Sequence, residues 1–282
     1  MKGMTCVVTG ATSGIGLEVA RILAARGANV VGVGRARQRC ADAERILRSS
    51  TRGEIEFETA DLASQEEIRA LADRLAARFR HIDVLVNNAG TFTFGRRESP
   101  DGVELQMAVN WLAGFMLTGL LFPLLTEAPE ARVISLSSGS HFSGRIRWDD
   151  VQIRHGYHGL KAYDATKLAT LLFSYELARR VGTTSGISTY AVDPGLVKTD
   201  IGAKGNGRLV RQIWKIRTRG GISPEQAAAS VVVCAADPRA RGKTGLYWKE
   251  GTPLDSSPLS HNRQDAQKLW VLGEELCGVR YP

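Results

Sequence analysis

The sequence predicts an α/β fold: one domain built on a doubly wound parallel sheet with helices on both faces. Three observations predict it. Short runs rich in β-branched residues alternate with longer stretches whose apolar residues recur at helical spacing. The runs Val30–Gly34 and Asp83–Asn87 are apolar almost throughout rather than alternating, as strands covered on both faces must be. No Ser/Gly-rich linker, internal repeat or shift of composition divides the 282 residues, so a single domain accounts for the length.

The elements follow in order. Met4–Thr9 reads as the first strand, Gly14–Arg26 as a helix, Ala28–Gly34 as the second strand and Glu54–Thr59 as the third. Gln65–Phe79 is helical, Asp83–Asn87 the fourth strand, and Pro100–Leu125 one long helix. Arg132–Ser137, helix Ala162–Val181 and Ile187–Val192 complete the repeat, and right-handed crossovers join strands of this kind into one parallel sheet. Beyond Asp193-Pro194-Gly195 the rhythm breaks until Ser223-Pro224-Glu225, where a Ser cap and a Pro at the first helical position start a helix. Leu246–Trp248 reads as a last strand and Arg263–Cys277 as a closing helix.

Composition excludes several classes. An apolar fraction of 43% is too high for a disordered chain. No run approaches the roughly 18 apolar residues of a membrane span. Met1–Thr9 carries no basic head or cleavage site, which reads against secretion. Cys6, Cys40, Cys234 and Cys277 lie far apart, arguing against a disulfide framework or zinc site and for a reducing, cytoplasmic setting. His155 and His158 have no third ligand in sight and read as surface residues, so no metal is expected.

The formal net charge is +8. Lys204, Arg208, Arg211, Lys215, Arg217 and Arg219 all lie in Ile201–Pro224, which holds no acid; without it the chain has 31 basic against 29 acidic residues. The excess is local, and no nucleic-acid-binding module accompanies it. Residues 196–222 read as a lid that closes over the substrate and expels water. The alternatives are a solvated basic face, or weak contact with an anionic membrane surface through the apolar residues around Trp214.

Thr9–Gly16 (TGATSGIG) lies between the first strand and the first helix. Glycines there let the backbone turn tightly and approach a pyrophosphate, which meets the unpaired N–H groups and positive dipole of the helix start. A tight turn without ligand is the alternative, but this placement is the confirming context for a Rossmann-type dinucleotide site. Gly10, Thr12, Ser13, Gly14 and Ile15 are its candidate residues. An NAD site usually carries an acidic residue at the end of the second strand; here Gly34 is followed by Arg35, whose guanidinium suits a 2′-phosphate. NADP(H) is therefore the expected cofactor. Asp61-Leu62 and Asn88-Ala89-Gly90 follow the third and fourth strands, at the sheet edge where such folds bind ligands.

Tyr163 and Lys167 are four apart on a helix, so both project from one face. Lowering a phenol from a pKa near 10 by about three units takes about 4 kcal/mol. A lysine ammonium at about 4 Å supplies energy of that order at an effective dielectric near 20. Ser138 ends the fifth strand, where its hydroxyl suits a carbonyl oxygen. Asn110 sits inside the long helix, where its propensity gives no reason for it. Together, Thr9–Gly16, Asn87–Gly90, Asn110, Ser138, Tyr163/Lys167 and Asp193-Pro194-Gly195 resemble the short-chain dehydrogenase/reductase family over nearly the whole chain.

The resemblance implies a sheet of about seven strands, with Tyr163 as proton donor and Ser138 as carbonyl anchor. It further implies that Lys167 tunes Tyr163 and holds the nicotinamide ribose, and that Asn110 positions a relay water. The backbone from Pro194 to Val197 and the hydroxyl of Thr199 would meet the carboxamide. Ser138 and Tyr163 stand 25 positions apart, about twice the gap of the commoner members. That gap, Lys167-Leu168-Ala169 with Glu176–Arg180, and Gly245–Trp248 resemble the retinol-dehydrogenase-like, WW-domain-oxidoreductase-like branch. Many of its members carry an N-terminal membrane anchor, which this sequence does not show. Family likeness also makes a homo-oligomer an expectation.

Phe92, Phe94, His141, Phe142, Leu196 and Trp214 are the expected pocket residues, an apolar set suited to a small apolar carbonyl or alcohol substrate. The expected function is an NADP(H)-dependent oxidoreductase interconverting an apolar ketone or aldehyde and its alcohol. The alternative is a non-catalytic NADP-binding sensor, which would have no need of a proton donor.

Overall fold

The computed structural model describes residues 1–49, 53–182, 185–197 and 220–281. Thr199, Trp214 and the basic segment 204–219 lie outside the described residues. Strands β1 (Thr5–Thr9), β2 (Asn29–Gly34), β3 (Ile55–Thr59), β4 (Val84–Asn87), β5 (Ala131–Leu136), β6 (Ile187–Asp193), β7 (Leu246–Lys249) and β8 (Thr252–Leu254) form one sheet. Its order is β3-β2-β1-β4-β5-β6-β7-β8, parallel up to β7 and antiparallel between β7 and β8. The order reverses between β1 and β4, and it is outside the carboxyl ends of the strands at such a point that ligands enter sheets of this kind. The apolar runs behave as expected: β1 and β5 are buried along their whole length.

Helices α1 (Gly14–Ala25), α2 (Arg37–Arg48), α3 (Gln65–Arg78), α4 (Leu105–Met107), α5 (Ala113–Leu120), α6 (Phe122–Thr126), α7 (Gly159–Val181), α8 (Pro224–Ala236) and α9 (Arg263–Cys277) complete the fold. Val19 and Leu23 of α1, Leu47 of α2 and Val231 of α8 bury one sheet face. Leu71 of α3, Phe115 of α5, Leu172 of α7 and Trp270 of α9 bury the other. Ser223 caps α8 with a reciprocal Ser–Gln226 capping box, as its sequence promised.

Two expectations need correction. The sheet has an eighth strand, β8, too short and too rich in proline to stand out in the sequence. It returns along β7 through a two-residue turn in which Glu250 (φ 51°) and Gly251 (φ 74°) both take the left-handed conformation that such hairpins require. Residues Pro100–Leu125 do not form one helix. The chain turns at Ser99–Val103, starts α4 on a Glu104 cap, passes through a π-helical segment at Ala108–Leu112, and breaks again before Pro123. Residues 100–125 are apolar on so many sides that spacing alone does not mark where one helical turn type gives way to another.

Thr9 ties the first turn to the fourth. Its buried hydroxyl accepts from Asn88 N (2.9 Å) and Ala89 N (3.0 Å) and donates to the Val86 carbonyl (3.2 Å). Asn88 Nδ2 answers with a bond to the Thr9 carbonyl (2.7 Å). The two turns are pressed so close that a Cβ on Gly10 would stand 2.9 Å from Ala89 Cα, and one on Gly16 only 2.5 Å from the Gly10 oxygen. Thr9→Val, which keeps the shape but strands the Ala89 N–H, is expected to lower unfolding free energy by about 2 kcal/mol in urea melts.

Candidate active site

Tyr163 and Lys167 lie in the first turns of α7, whose start is fixed by contact rather than by a side-chain cap. A Cβ on Gly159 would stand 2.2 Å from the Thr93 carbonyl, so only glycine lets α7 begin against the loop that follows β4. The helix then meets β5 through two reciprocal bonds. Lys167 Nζ donates to the Leu136 carbonyl (2.9 Å), and Ser137 Oγ donates to the Lys167 carbonyl (3.0 Å). Ser138 follows at once. It is the extended cap of a 3₁₀ turn, Gly139–Phe142, and its Oγ accepts from Ser140 N (3.3 Å), which leaves its own hydrogen for another acceptor.

Asn110 occupies the π-helical segment, and its side chain clasps the backbone of Thr91. Oδ1 accepts from Thr91 N (2.7 Å), while Nδ2 donates to Thr91 O (3.0 Å) and to Thr166 Oγ1 (3.2 Å). This links the loop after β4 to α7. The wide turn aims the amide at that loop, where regular helical geometry would direct it elsewhere.

Electrostatics at the pair run against the expectation of a lowered phenol. Burial pushes the Tyr163 phenol well above its ordinary value, and the carboxylates of Asp193 and Asp164 add repulsion. Lys167 Nζ lies over the tyrosine ring, 5.4 Å from its centroid. Burial lowers the Lys167 ammonium to about 8, partly opposed by Asp193. The chain by itself thus holds a protonated tyrosine beside a lysine made easier to deprotonate.

Along the sheet edge, the N-terminus of α1 carries no acidic residue in its first turn, and the Ser13 side chain does not cap it. Thr12, Gly14 and Ile15 are partly exposed at that terminus. Gly14 (φ 60°) and Gly10 (φ 67°) hold left-handed conformations that make the turn. The end of β2 has no room for a side chain: a Cβ on Gly34 would stand 2.3 Å from Thr12 Cγ2. Arg35 beside it is exposed, with no ion pair among the described residues. Asp61 is partly exposed and accepts from Ala63 N (3.0 Å), Leu62 is buried, and Gly90 is exposed. These residues fit a dinucleotide: an uncapped helix terminus, a turn with no side chains to block approach, and a guanidinium where the adenosine end would lie.

The expected pocket residues divide. Phe94 (43% exposed), Phe142 (52%) and Leu196 (54%) present apolar surface. Phe92 is fully buried and packs edge-on against Tyr163, ring centroids 5.9 Å apart. His141 is also fully buried, with its ring bonded to the Ser138 carbonyl. Leu196 and Val197 pair with Ile222 across the ends of the basic segment. Sequence reasoning missed Tyr157, which pins the long Ser138–Tyr163 insertion by donating to Glu104 (2.9 Å) and accepting from Gln106 (2.8 Å). Neither spacing nor composition marks such a residue.

The short chain dehydrogenase profile matches residues 4–208. Mouse (Mus musculus) retinol dehydrogenase 12 is 35% identical over 282 residues, covering 100% of this chain and 88% of its own. Polyprenol dehydrogenase of Danio rerio is 32% identical over 288 residues, covering 99% and 88%. Among solved structures, an uncharacterized Mycobacterium paratuberculosis protein matches with a TM-score of 0.79 and 30% identity, covering 100% and 96% of the two chains. The Pseudomonas aeruginosa RhlG/NADP complex matches with a TM-score of 0.69 and 28% identity, covering 88% and 95%. The chain belongs to the short-chain dehydrogenase family, a class of oxidoreductases that work with a nicotinamide cofactor. Its full-length relatives place it in the retinol-dehydrogenase-like branch of that family. No helix among the described residues is long and apolar enough to cross a membrane.

The buried ammonium has a measurable consequence. With a folded pKa near 8 against an ordinary 10.5, its burial costs stability below pH 8, about 3 kcal/mol at 1.36 kcal/mol per unit, and the cost vanishes above pH 10.5. Lys167→Met keeps the stem, loses the charge and leaves the Leu136 carbonyl without its donor. A net gain of about 1–2 kcal/mol is expected at pH 7, shrinking as pH rises through 8 toward 10.5, in urea melts of the cofactor-free protein.

Proposed function

We propose that the chain is an NADP(H)-dependent oxidoreductase that interconverts an apolar aldehyde or ketone and its alcohol, with Asn110, Ser138, Tyr163 and Lys167 as its working residues. The observation that carries the reading is the pair of hydrogen bonds between α7 and the end of β5, which fixes the helix that carries Tyr163 against the residues that lead into Ser138. The bound nicotinamide supplies or accepts the hydride. The chain does the rest. Ser138 donates its free hydrogen to the substrate oxygen and holds it, while Tyr163, kept protonated by its burial, delivers the proton to that oxygen. Lys167, with its ammonium over the ring, offsets the charge left on the phenol and is placed to hold ribose hydroxyls. Asn110 braces Thr91 and α7, keeping the facing walls in register.

Preference for the 2′-phosphate rests on Gly34 and Arg35. Thr12 fills the space in which an acidic side chain would stand, and the exposed guanidinium has no competing ion pair among the described residues. Gly10, Thr12, Ser13, Gly14 and Ile15 would hold the pyrophosphate, with Asp61, Leu62, Asn88, Ala89 and Gly90 along the adenine and ribose side. Pro194, Val197 and Thr199 would hold the carboxamide side. The apolar surfaces of Phe94, Phe142 and Leu196 suit an apolar substrate, and the named substrates of the retinol and polyprenol dehydrogenases are of that kind. The basic segment 204–219 would close over it.

Tyr163→Phe is expected to cut NADPH oxidation with apolar aldehydes by at least about a thousandfold, while NADPH binding, followed by tryptophan fluorescence, stays within a few-fold. Turnover near the wild-type rate would sink the proposed role. Arg35→Ala should lower the NADPH-over-NADH ratio in kcat/KM by about 10- to 100-fold, the worth of a charge-assisted hydrogen-bonded pair. An unchanged ratio would remove NADP(H) from the assignment.

A further inference from the structure

We infer that His141 is a positioning residue for Ser138: its buried imidazole fixes the peptide from which the serine hydroxyl reaches the substrate. The inference rests on the functional reading above, because it needs Ser138 to hold the reacting oxygen.

The ring has no solvent contact, and both its nitrogens are used. Nδ1 lies 2.7 Å from the Ser138 carbonyl, and Nε2 lies 3.0 Å from the backbone N of Ser257. An N–H donates and a carbonyl accepts, so only one assignment satisfies both bonds. Nε2 carries the lone pair, and Nδ1 carries the hydrogen that it donates to Ser138. A charged imidazolium would set two N–H groups against each other at Ser257. The Ser138 carbonyl also accepts from the His141 backbone N (3.0 Å), so two donors from one residue fix the orientation of the 138–139 peptide. The serine side chain is held from the other side by Ser140 N.

The same ring reaches the nicotinamide side of the site. It packs edge-on against Tyr247, centroids 4.9 Å apart, whose hydroxyl donates to Asp193 Oδ2 (2.8 Å). Asp193 Oδ1 accepts from Gly195 N (2.8 Å), at the turn that follows β6. One buried residue therefore links the carbonyl anchor after β5 to the Asp-Pro-Gly turn after β6. The 255–258 segment, far along the chain, supplies the donor that holds the ring in its single tautomer.

Ser257 offers a test from the far side of the ring. Its φ of −60° is one that proline adopts, and its hydroxyl has no hydrogen-bond partner among the described residues. Ser257→Pro removes the N–H that Nε2 accepts and sets the proline ring Cδ in its place, so the imidazole loses its donor and must move from its position. The experiment compares wild type, Ser257→Pro, His141→Phe, His141→Gln and Ser138→Ala in NADPH oxidation with nonanal and benzaldehyde, with circular dichroism to show that each is folded. Ser257→Pro and His141→Phe are expected to lower kcat at least about fivefold with KM for the aldehyde changed less than threefold; His141→Gln, which retains one donor and one acceptor, should recover most of the loss. A folded Ser257→Pro with a smaller loss of kcat overturns the inference, as does a His141→Gln no better than His141→Phe. Should His141→Phe fail to fold, a loss of kcat in folded Ser257→Pro together with near wild-type kcat in His141→Gln supports the inference, and the absence of either overturns it. Ser138→Ala separates the two levels. If it leaves kcat unchanged, or if wild type turns over neither aldehyde, the functional reading fails and takes the inference with it; if Ser138→Ala is inactive while Ser257→Pro is not impaired, only the role of His141 falls.

Discussion

The hydrogen bond from Lys167 Nζ to the carbonyl of Leu136 is the interaction on which the rest of the site depends. It spans α7 and the last residue of β5, and Ser137 returns a bond to the Lys167 carbonyl. A buried ammonium loses most of its hydration, and one carbonyl replaces only part of it, so the group is held at a cost and its pKa falls. Stability alone would favour an apolar side chain there. What the charged one secures is a tie between α7 and the end of β5: Tyr163 stands one turn before it on the helix, and Ser138 follows Leu136 by two residues. Strain of this kind is expected where chemistry needs a charge inside a protein.

Around that bond, each wall of the site is tied to its neighbour through side-chain hydrogen bonds. Thr9 and Asn88 close β1 against β4. Asn110 closes the loop after β4 against α7. Tyr157 ties the stretch between Ser138 and Tyr163 to Glu104 and Gln106 at the start of α4. A long insertion therefore does not mean a loose site. Such bonds leave few alternative arrangements, because a buried N–H or carbonyl that loses its partner has none other in reach.

Much of this was legible in the sequence, for identifiable reasons. Strands β1, β2, β4 and β5 announce themselves because burial on both faces demands unbroken apolar runs. The glycine turn and the Tyr163/Lys167 spacing are local, so sequence distance stands in for spatial distance. Features built from distant residues were not legible. His141 reads in the sequence as a pocket residue on a loop near Tyr163; the structure buries its ring between the Ser138 carbonyl and the N of Ser257, 116 positions away. The π-helical turn at Asn110 and the hairpin to β8 each depend on one departure from regular geometry, which apolar periodicity averages out.

By itself, then, the sequence determined the doubly wound sheet and the family and nominated the residues proposed for its site, since each of these is read from local order. The tertiary structure decided how those residues are poised. It set the direction of the Tyr163 shift, because dehydration by surrounding chain outweighs one lysine facing the ring. It buried the His141 ring between the Ser138 carbonyl and the Ser257 N–H. It also left no space at Gly34 for an acidic side chain, by bringing Thr12 against it. Dehydration, hydrogen-bond partnership and steric room are all set by neighbours distant in sequence, and only the folded chain brings those neighbours together.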